Sequence, residues 1–252
     1  MLPVFKLSNG PLPLLAFHGI GQTHRVFEPL AQALEGRYSV YAFDLFFHGE
    51  QPVQGVGDVL TKEAYRALIH AFLQQHQIER FAVLGFSMGG RFALATAELF
   101  HARIDELVLI APDGITISPW YRLATGTGVG RILFRYFLNH VPLLHRFGQF
   151  FISIGLINRS VLRFAENMLA TAEQRKMVYN SWIYFRKLRF EPRYLATLFN
   201  QKPIRIRFFT GYFDQVVPTS FLTPLINSLP TYELTVLKTG HHRLIEKVAK
   251  RL

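Results

Sequence analysis

A serine lies in a glycine-flanked turn directly after an apolar run, and its hydroxyl is the first candidate for chemistry. Residues 81–86 (FAVLGF) predict a strand, and residues 90–100 predict a helix rich in alanine and leucine. Between them, residues 85–89 (GFSMG) match the pattern G-x-S-x-G. In a strand-to-helix turn this pattern lifts a nucleophilic hydroxyl to the carboxyl edge of a sheet. We interpret Ser87 as a nucleophile; the alternative is an ordinary turn serine.

A serine nucleophile needs a base, and the base needs a carboxylate that orients it. His241 follows the last predicted strand and is the candidate base, with the neighbouring His242 as the alternative. Asp214 follows another predicted strand and a glycine turn, which makes it the candidate acid. Two alternatives stay open for the acid: Asp214 could be an ordinary loop aspartate, and Asp113 could orient the base instead.

The elements that must position these residues alternate along the chain, which predicts a parallel sheet with crossover helices. The predicted strands cover 12–19, 38–45, 81–86, 106–112, 204–211 and 232–238. The predicted helices cover 25–35, 61–77, 90–100, a stretch near 219–228 and the chain from about 242. Between 114 and 200 only helical patterns rich in arginine and phenylalanine occur. We therefore predict a core formed by residues 1–113 and 201–252, with a helical insertion at 114–200.

Five stretches of the core resemble the α/β-hydrolase fold superfamily. They are FHGIG (17–21), FDLFFHG (43–49), GFSMGG (85–90), GYFDQVVP (211–218) and GHHRLIE (240–246). The resemblance implies a mostly parallel central sheet flanked by helices, with the insertion as a lid. It also implies a Ser-His-Asp triad in the chain order Ser87, Asp214, His241. The family spacing G-H-(x)4-E favours His241 over His242.

The same resemblance implies further site residues. The backbone N–H groups of Ile20 and Met88 would form the oxyanion hole, and His18, Phe86 and Arg91 are candidate substrate-binding residues. The stretch GFSMGGRFAL (85–94) also resembles the menaquinone-pathway lyase of this fold. An arginine placed like Arg91 holds an anionic substrate in that family. The alternative is a solvated or salt-bridged helix arginine, and the insertion lacks the rest of the lyase pattern.

Composition excludes several classes of chemistry. The chain of 252 residues has no cysteine, which excludes disulfides, thiolate zinc sites and cysteine nucleophiles. His18 and His48 have no partner at ligand spacing, so we expect no metal and no cofactor. The N-terminus lacks a signal-peptide pattern and no run is apolar enough to span a bilayer. These features predict a cytoplasmic protein, with attachment to the inner membrane face as an alternative.

The positive charge is concentrated in the insertion. Residues 114–200 carry 12 of the 28 Arg and Lys residues against 3 Glu, within a net charge of +11. Three interpretations stay open: an ordinary helical cap, a site for a long apolar acyl chain beside an anionic group, or contact with an anionic membrane. Nucleic acid is not expected as a partner, because phenylalanine, leucine and isoleucine interleave the charges. No pattern predicts an oligomeric state.

These observations predict an α/β-hydrolase enzyme that cleaves a carboxylic ester or thioester with an apolar acyl group. Its substrate would be a small-molecule or lipid-like acyl compound. Two alternatives remain at this point. One is a lyase or C–C bond hydrolase of the same fold acting on an anionic substrate. The other is a non-catalytic scaffold that binds lipid or membrane.

Overall fold

The computed structural model describes residues 2–202 and 204–252, and its centre is a seven-stranded sheet. The strands are Val4–Lys6 (β1), Leu12–Phe17 (β2), Tyr38–Phe43 (β3), Phe81–Phe86 (β4), Ile104–Ile110 (β5), Arg205–Gly211 (β6) and Glu233–Leu237 (β7). Their order across the sheet is β1-β3-β2-β4-β5-β6-β7. β1 is antiparallel to β3, and every other neighbouring pair is parallel. The predicted α/β-hydrolase type of sheet is confirmed.

Helices connect the strands and cover both faces of the sheet. The core helices are Glu28–Ala33 (α1), Lys62–Gln75 (α2) and Gly89–Phe100 (α3). The insertion contributes Pro119–Gly126 (α4), Gly128–Asn139 (α5), Val141–Ser153 (α6), Arg159–Met168 (α7), Ala172–Tyr184 (α8) and Pro192–Gln201 (α9). Thr223–Ile226 (α10) and Leu244–Ala249 (α11) complete the chain. All six residues of β4 are buried, as expected for a strand with helices on both faces.

Two elements differ from the sequence-based expectation. β1 has only three residues, which is too short for a periodic pattern, and the pairing with β3 creates it. The helix expected near 219–228 is a 3-10 turn followed by the four-residue α10. Pro224 explains this break, because proline is tolerated in the first turn of an α-helix but removes a hydrogen bond in the interior.

The insertion at 114–200 contains helices and no strand. Its first part has a small apolar cluster of its own, centred on Leu138, Leu169 and Val178. From Tyr184 onward the chain instead packs into the large core cluster on one face of the sheet, and α9 buries Leu195 there. The separate lid therefore consists of α4–α8, while α9 is part of the core layer. Among the described residues, no helix is both long and apolar enough to cross a bilayer.

Candidate active site

Ser87 lies in the turn between β4 and α3, at the carboxyl edge of the sheet. Its φ is +53°, a conformation that few residues other than glycine adopt. Three backbone hydrogen bonds hold the strained turn: Ser87 donates to Ile110, and its carbonyl accepts from Gly90 and Asp113. The backbone of the turn is thereby fixed against the end of the neighbouring strand β5.

The glycines around Ser87 are needed because other backbone approaches them closely. A Cβ at Gly85 would lie 2.6 Å from the Gly89 carbonyl oxygen, and one at Gly89 would lie 1.9 Å from the Phe17 carbonyl oxygen. A Cβ at Gly90 would lie 2.6 Å from Pro112. The pattern G-x-S-x-G-G is thus a packing requirement of the sheet edge.

Replacing Gly89 by alanine is expected to destabilise the fold by about 3 kcal/mol or more, because the new methyl group meets backbone that cannot rotate away. Gly126→Ala is the matched control, since a Cβ there meets nothing within 4 Å. That control should leave stability unchanged or raise it by up to about 1 kcal/mol. Urea unfolding of both variants measures the difference, and equal stabilities would contradict the close contact.

Ser87, His241 and Asp214 come together in one hydrogen-bonded chain. His241 Nε2 lies 3.0 Å from Ser87 Oγ, and His241 Nδ1 lies 2.6 Å from Asp214 Oδ2. The second carboxylate oxygen, Oδ1, accepts from the backbone N–H groups of Val216 and Val217. All three side chains are buried. Because an ionised carboxylate only accepts hydrogen bonds, Nδ1 carries the proton and Nε2 is free to accept one from the serine.

Two aromatic rings hold the His241 imidazole. Phe86 stacks on it with a centroid distance of 5.0 Å, and Phe164 of the lid meets its edge at 5.9 Å. Phe86 is expected from the sequence to bind substrate, but the structure buries it against His241 instead. The alternative base, His242, is exposed and contacts Phe164 rather than the serine.

The backbone after β2 approaches the serine turn from the other side. A Cβ added at Gly19 would lie 3.3 Å from Ser87 Cβ. The N–H of Gly19 is bound by the Gln22 side chain at 3.0 Å. Of the expected oxyanion donors, Met88 follows Ser87 directly and Ile20 follows Gly19, and within the described residues neither N–H donates to a backbone carbonyl. Both groups therefore remain available to an acceptor.

His18 occupies a different position from the one expected for a substrate-binding residue. It is fully buried, its Nδ1 donates to the Gly19 carbonyl at 2.7 Å, and its Nε2 accepts from the Leu45 N–H at 3.1 Å. Both ring nitrogens are therefore engaged with backbone. Burial, and next the neighbouring His48, lower the pKa of His18 well below its ordinary value. The ring is neutral and shapes the loop that carries Ile20.

The lowered pKa of His18 predicts a loss of stability in mild acid. The unfolded chain takes up the proton below about pH 6.5, whereas the folded chain stays neutral. The contribution of this histidine is therefore complete above that pH and falls by about 1.4 kcal/mol per pH unit below it. In urea unfolding between about pH 7.5 and 5.5, His18→Gln should reduce the pH dependence of the free energy of unfolding by roughly one proton. The control His70→Gln, at an exposed position, should not.

Arg91 and Asp113 form a pair of their own. Arg91 is 1% exposed, with Nε 2.6 Å from Asp113 Oδ2 and Nη2 3.1 Å from Oδ1. Burial lowers the pKa of Arg91, but the Asp113 carboxylate and Tyr121 together raise it above the ordinary value. The Tyr121 ring lies 4.1 Å from the guanidinium. The structure thus places Arg91 in the alternative role of a salt-bridged arginine, and Asp113 is not beside the base.

The lid lies over this site through α7. Phe164 contacts His241, and one helical turn later Met168 lies beside Gly21 in the loop after β2. Met177 of α8 also approaches Gly21. Sequence reasoning did not single out these three residues, because nothing in a helical pattern tells which side chain meets a distant loop.

The arrangement supplies a hydroxyl, a base and an oriented carboxylate next to apolar side chains of the lid, which suits acyl transfer. Among residues 2–202 and 204–252, no group of three or more His, Asp or Glu side chains is placed to hold a metal ion.

Comparison with known proteins places the chain in a family. A model of the alpha/beta hydrolase fold matches residues 13–248. The putative esterase/lipase 2 of Mycoplasma pneumoniae is 31% identical over 109 residues, 43% of this chain and 40% of that protein. The pimeloyl-[acyl-carrier protein] methyl ester esterase of Legionella pneumophila is 27% identical over 132 residues, 52% of this chain and 48% of that protein.

The alignments with these two curated relatives cover less than half of each relative's length. A thermophilic esterase from Thermogutta terrifontis superposes with a TM-score of 0.66 at 20% identity, covering 99% of this chain and 90% of that one. At that identity the likeness concerns the fold alone. Since the family model spans nearly the whole chain, the chain belongs to the alpha/beta hydrolase fold family.

Proposed function

We propose that the protein is a serine hydrolase that cleaves a carboxylic ester or thioester with an apolar acyl group. One observation carries the proposal: Ser87 Oγ, His241 and Asp214 are linked by hydrogen bonds of 3.0 and 2.6 Å at the carboxyl edge of the sheet. A strained serine turn of this kind, with a base in reach and a carboxylate behind the base, supports nucleophilic catalysis.

In the proposed reaction, Ser87 Oγ attacks the substrate carbonyl while His241 Nε2 takes the hydroxyl proton. The carbonyl oxygen becomes an oxyanion, and the N–H groups of Ile20 and Met88 stabilise the negative charge that develops there. His241 then gives the proton to the leaving alcohol or thiol, and an acyl-enzyme forms on Ser87. Water then attacks the acyl carbon while His241 accepts its proton. The acyl group leaves as the acid, and Ser87 regains its proton from His241.

An apolar acyl group is supported by the side chains of the lid over the serine. Phe164, Met168 and Met177 are the lid residues at the base and the oxyanion loop, and none of them is charged. An anionic substrate has less support, because the guanidinium of Arg91 already binds Asp113 through two hydrogen bonds. Arg91, the residue that suggested the lyase alternative, therefore gives that alternative little support. The cytoplasmic location stays a prediction from the sequence.

A chain-length series of p-nitrophenyl esters, from acetate to palmitate, tests the proposal. We expect turnover that rises from acetate to a longer acyl chain and that disappears in Ser87→Ala. The preferred length measures the space between the serine and the lid. If the folded wild-type protein hydrolyses none of these esters, and none of the corresponding thioesters, the proposed bond type is wrong.

A further inference from the structure

The outer helices of the lid expose an unusual amount of apolar surface. Of the nineteen large apolar side chains exposed in the described residues, ten lie between positions 120 and 156. We call these ten residues the docking face: Trp120, Leu123, Val129, Ile132, Leu133, Tyr136, Phe147, Phe150, Ile154 and Leu156. They are 42–71% exposed. We propose that this face docks on the surface of a lipid bilayer rich in anionic lipid.

The exposed residues follow helical spacing, so they form stripes rather than scattered contacts. On α5 they lie at positions 129, 132, 133 and 136 and on α6 at positions 147 and 150, and Ile154 directly follows α6. Residues at these intervals share one side of a helix. Ring contacts join the helices: Phe137 meets Phe147 at 5.4 Å, and Trp120 meets Phe151 at 4.9 Å. The stripes therefore belong to one packed group of helices.

The charges of the same segment have one sign. Residues 114–165 contain six arginines and no lysine, aspartate or glutamate. The arginines are Arg122, Arg131, Arg135, Arg146, Arg159 and Arg163. Within the described parts of the chain, none of the six forms an ion pair. Arginines without an acidic partner, close in the chain to exposed phenylalanine, leucine and isoleucine, match a surface of acidic head groups above acyl chains.

The helix lengths favour a position in the plane of the interface. α5 has 12 residues and α6 has 13, whereas about 20 apolar residues are needed to span a bilayer. A short helix with an apolar stripe buries that stripe at the level of the head groups instead.

Charge also argues against two other occupants of the face. A symmetric dimer through this surface would bring together two copies of helices α4–α6, which carry Arg122, Arg131, Arg135 and Arg146 and no acidic residue to pair with them. Nucleic acid would match the charge but not the ten exposed apolar side chains.

Docking in this way would bring the bilayer close to the serine. Leu162 of α7 packs against Gly148 of α6, where an added Cβ would lie 2.4 Å away, and Phe164 of the same helix contacts His241. One helix thus separates the docking face from the catalytic base. The membrane contact itself does not depend on the proposed hydrolysis.

Vesicle flotation tests the proposal with the full chain. Wild-type protein should float with vesicles of phosphatidylcholine containing about 30 mol% phosphatidylglycerol, and much less with phosphatidylcholine alone. Binding should fall as NaCl rises from about 0.05 to 0.5 M. Two double variants should each lower partitioning at least about tenfold: Arg122→Gln with Arg146→Gln, and Ile132→Ser with Phe150→Ser. All four side chains are exposed, so folding should survive, and circular dichroism checks this.

Matched controls distinguish binding through the docking face from binding through overall charge or through exposed apolar groups elsewhere. Arg66→Gln with Lys247→Gln removes the same charge elsewhere, and Val56→Ser with Tyr194→Ser removes exposed apolar groups outside the face. Both controls should float like wild type. The proposal is overturned if wild-type protein stays at the bottom with anionic vesicles, or if the controls lose as much binding as the face variants. Self-association that only Ile132→Ser with Phe150→Ser abolishes, without flotation, would assign the face to a second copy.

Discussion

Ser87→Ala is expected to lower kcat for ester hydrolysis by a factor of about 10⁴ to 10⁶, which corresponds to about 5–8 kcal/mol of lost transition-state stabilisation. The reason is that only Oγ can form the acyl bond, and its partner His241 Nε2 would be left without a proton donor. The variant should stay folded, because the three hydrogen bonds of the turn use backbone atoms alone. Steady-state kinetics and thermal unfolding of the same preparation measure both effects.

Ser220→Ala is the matched control for that substitution. Ser220 is exposed in the 3-10 turn before α10, and its removal should leave kcat within about threefold of wild type. Turnover that survives in folded Ser87→Ala would assign the reaction to another group.

Asp214→Asn is expected to lower kcat by about 10⁴ with little change in fold. The asparagine oxygen can still accept from Val216 and Val217, so the loop should keep its shape. Its amide nitrogen would face His241 Nδ1 in place of Oδ2 and favour the tautomer with the proton on Nε2. His241 Nε2 could then no longer accept a proton from Ser87. Kinetics across the pH range, combined with urea unfolding, measure the effect.

Asp113→Asn separates the two candidate acids. Asp113 pairs with buried Arg91 rather than with the base, so its loss should mainly reduce stability, by about 3 kcal/mol, because a buried guanidinium loses its partner. The remaining folded enzyme should keep its kcat within about tenfold. If instead Asp113→Asn removed activity and Asp214→Asn kept it, the orienting acid would be Asp113.

The buried strands and the serine turn could be predicted from the sequence, because their signals are local. β4 is a continuous apolar run that ends at Ser87, and the structure begins and ends it at the predicted residues. Because Ser87, Asp214 and His241 each follow a predicted strand, their meeting at one sheet edge could also be predicted. Parallel strands bring their carboxyl ends together, so residues far apart in sequence become neighbours.

Other features depend on contacts that no local pattern encodes. Arg91 pairs with Asp113, which lies 22 positions away along the chain, and contacts the ring of Tyr121 in the lid. His18 looked like a site residue because of its motif, yet both of its nitrogens bind backbone. The end of the insertion is part of the core because its apolar side chains, including Leu195, are buried in the cluster on one face of the sheet. In each case tertiary packing selected one of several roles that the sequence allowed.

If Ser87 is an activated nucleophile, a probe that reacts covalently with such serines should label it. Wild-type protein is treated with a fluorophosphonate probe, and the modified peptide is identified by mass spectrometry, with Ser87→Ala and Asp214→Asn in parallel. We expect a single label on Ser87, no label in Ser87→Ala and much slower labelling in Asp214→Asn. A folded wild-type protein that takes no label, or takes it at a different residue, would show that Ser87 is not the nucleophile.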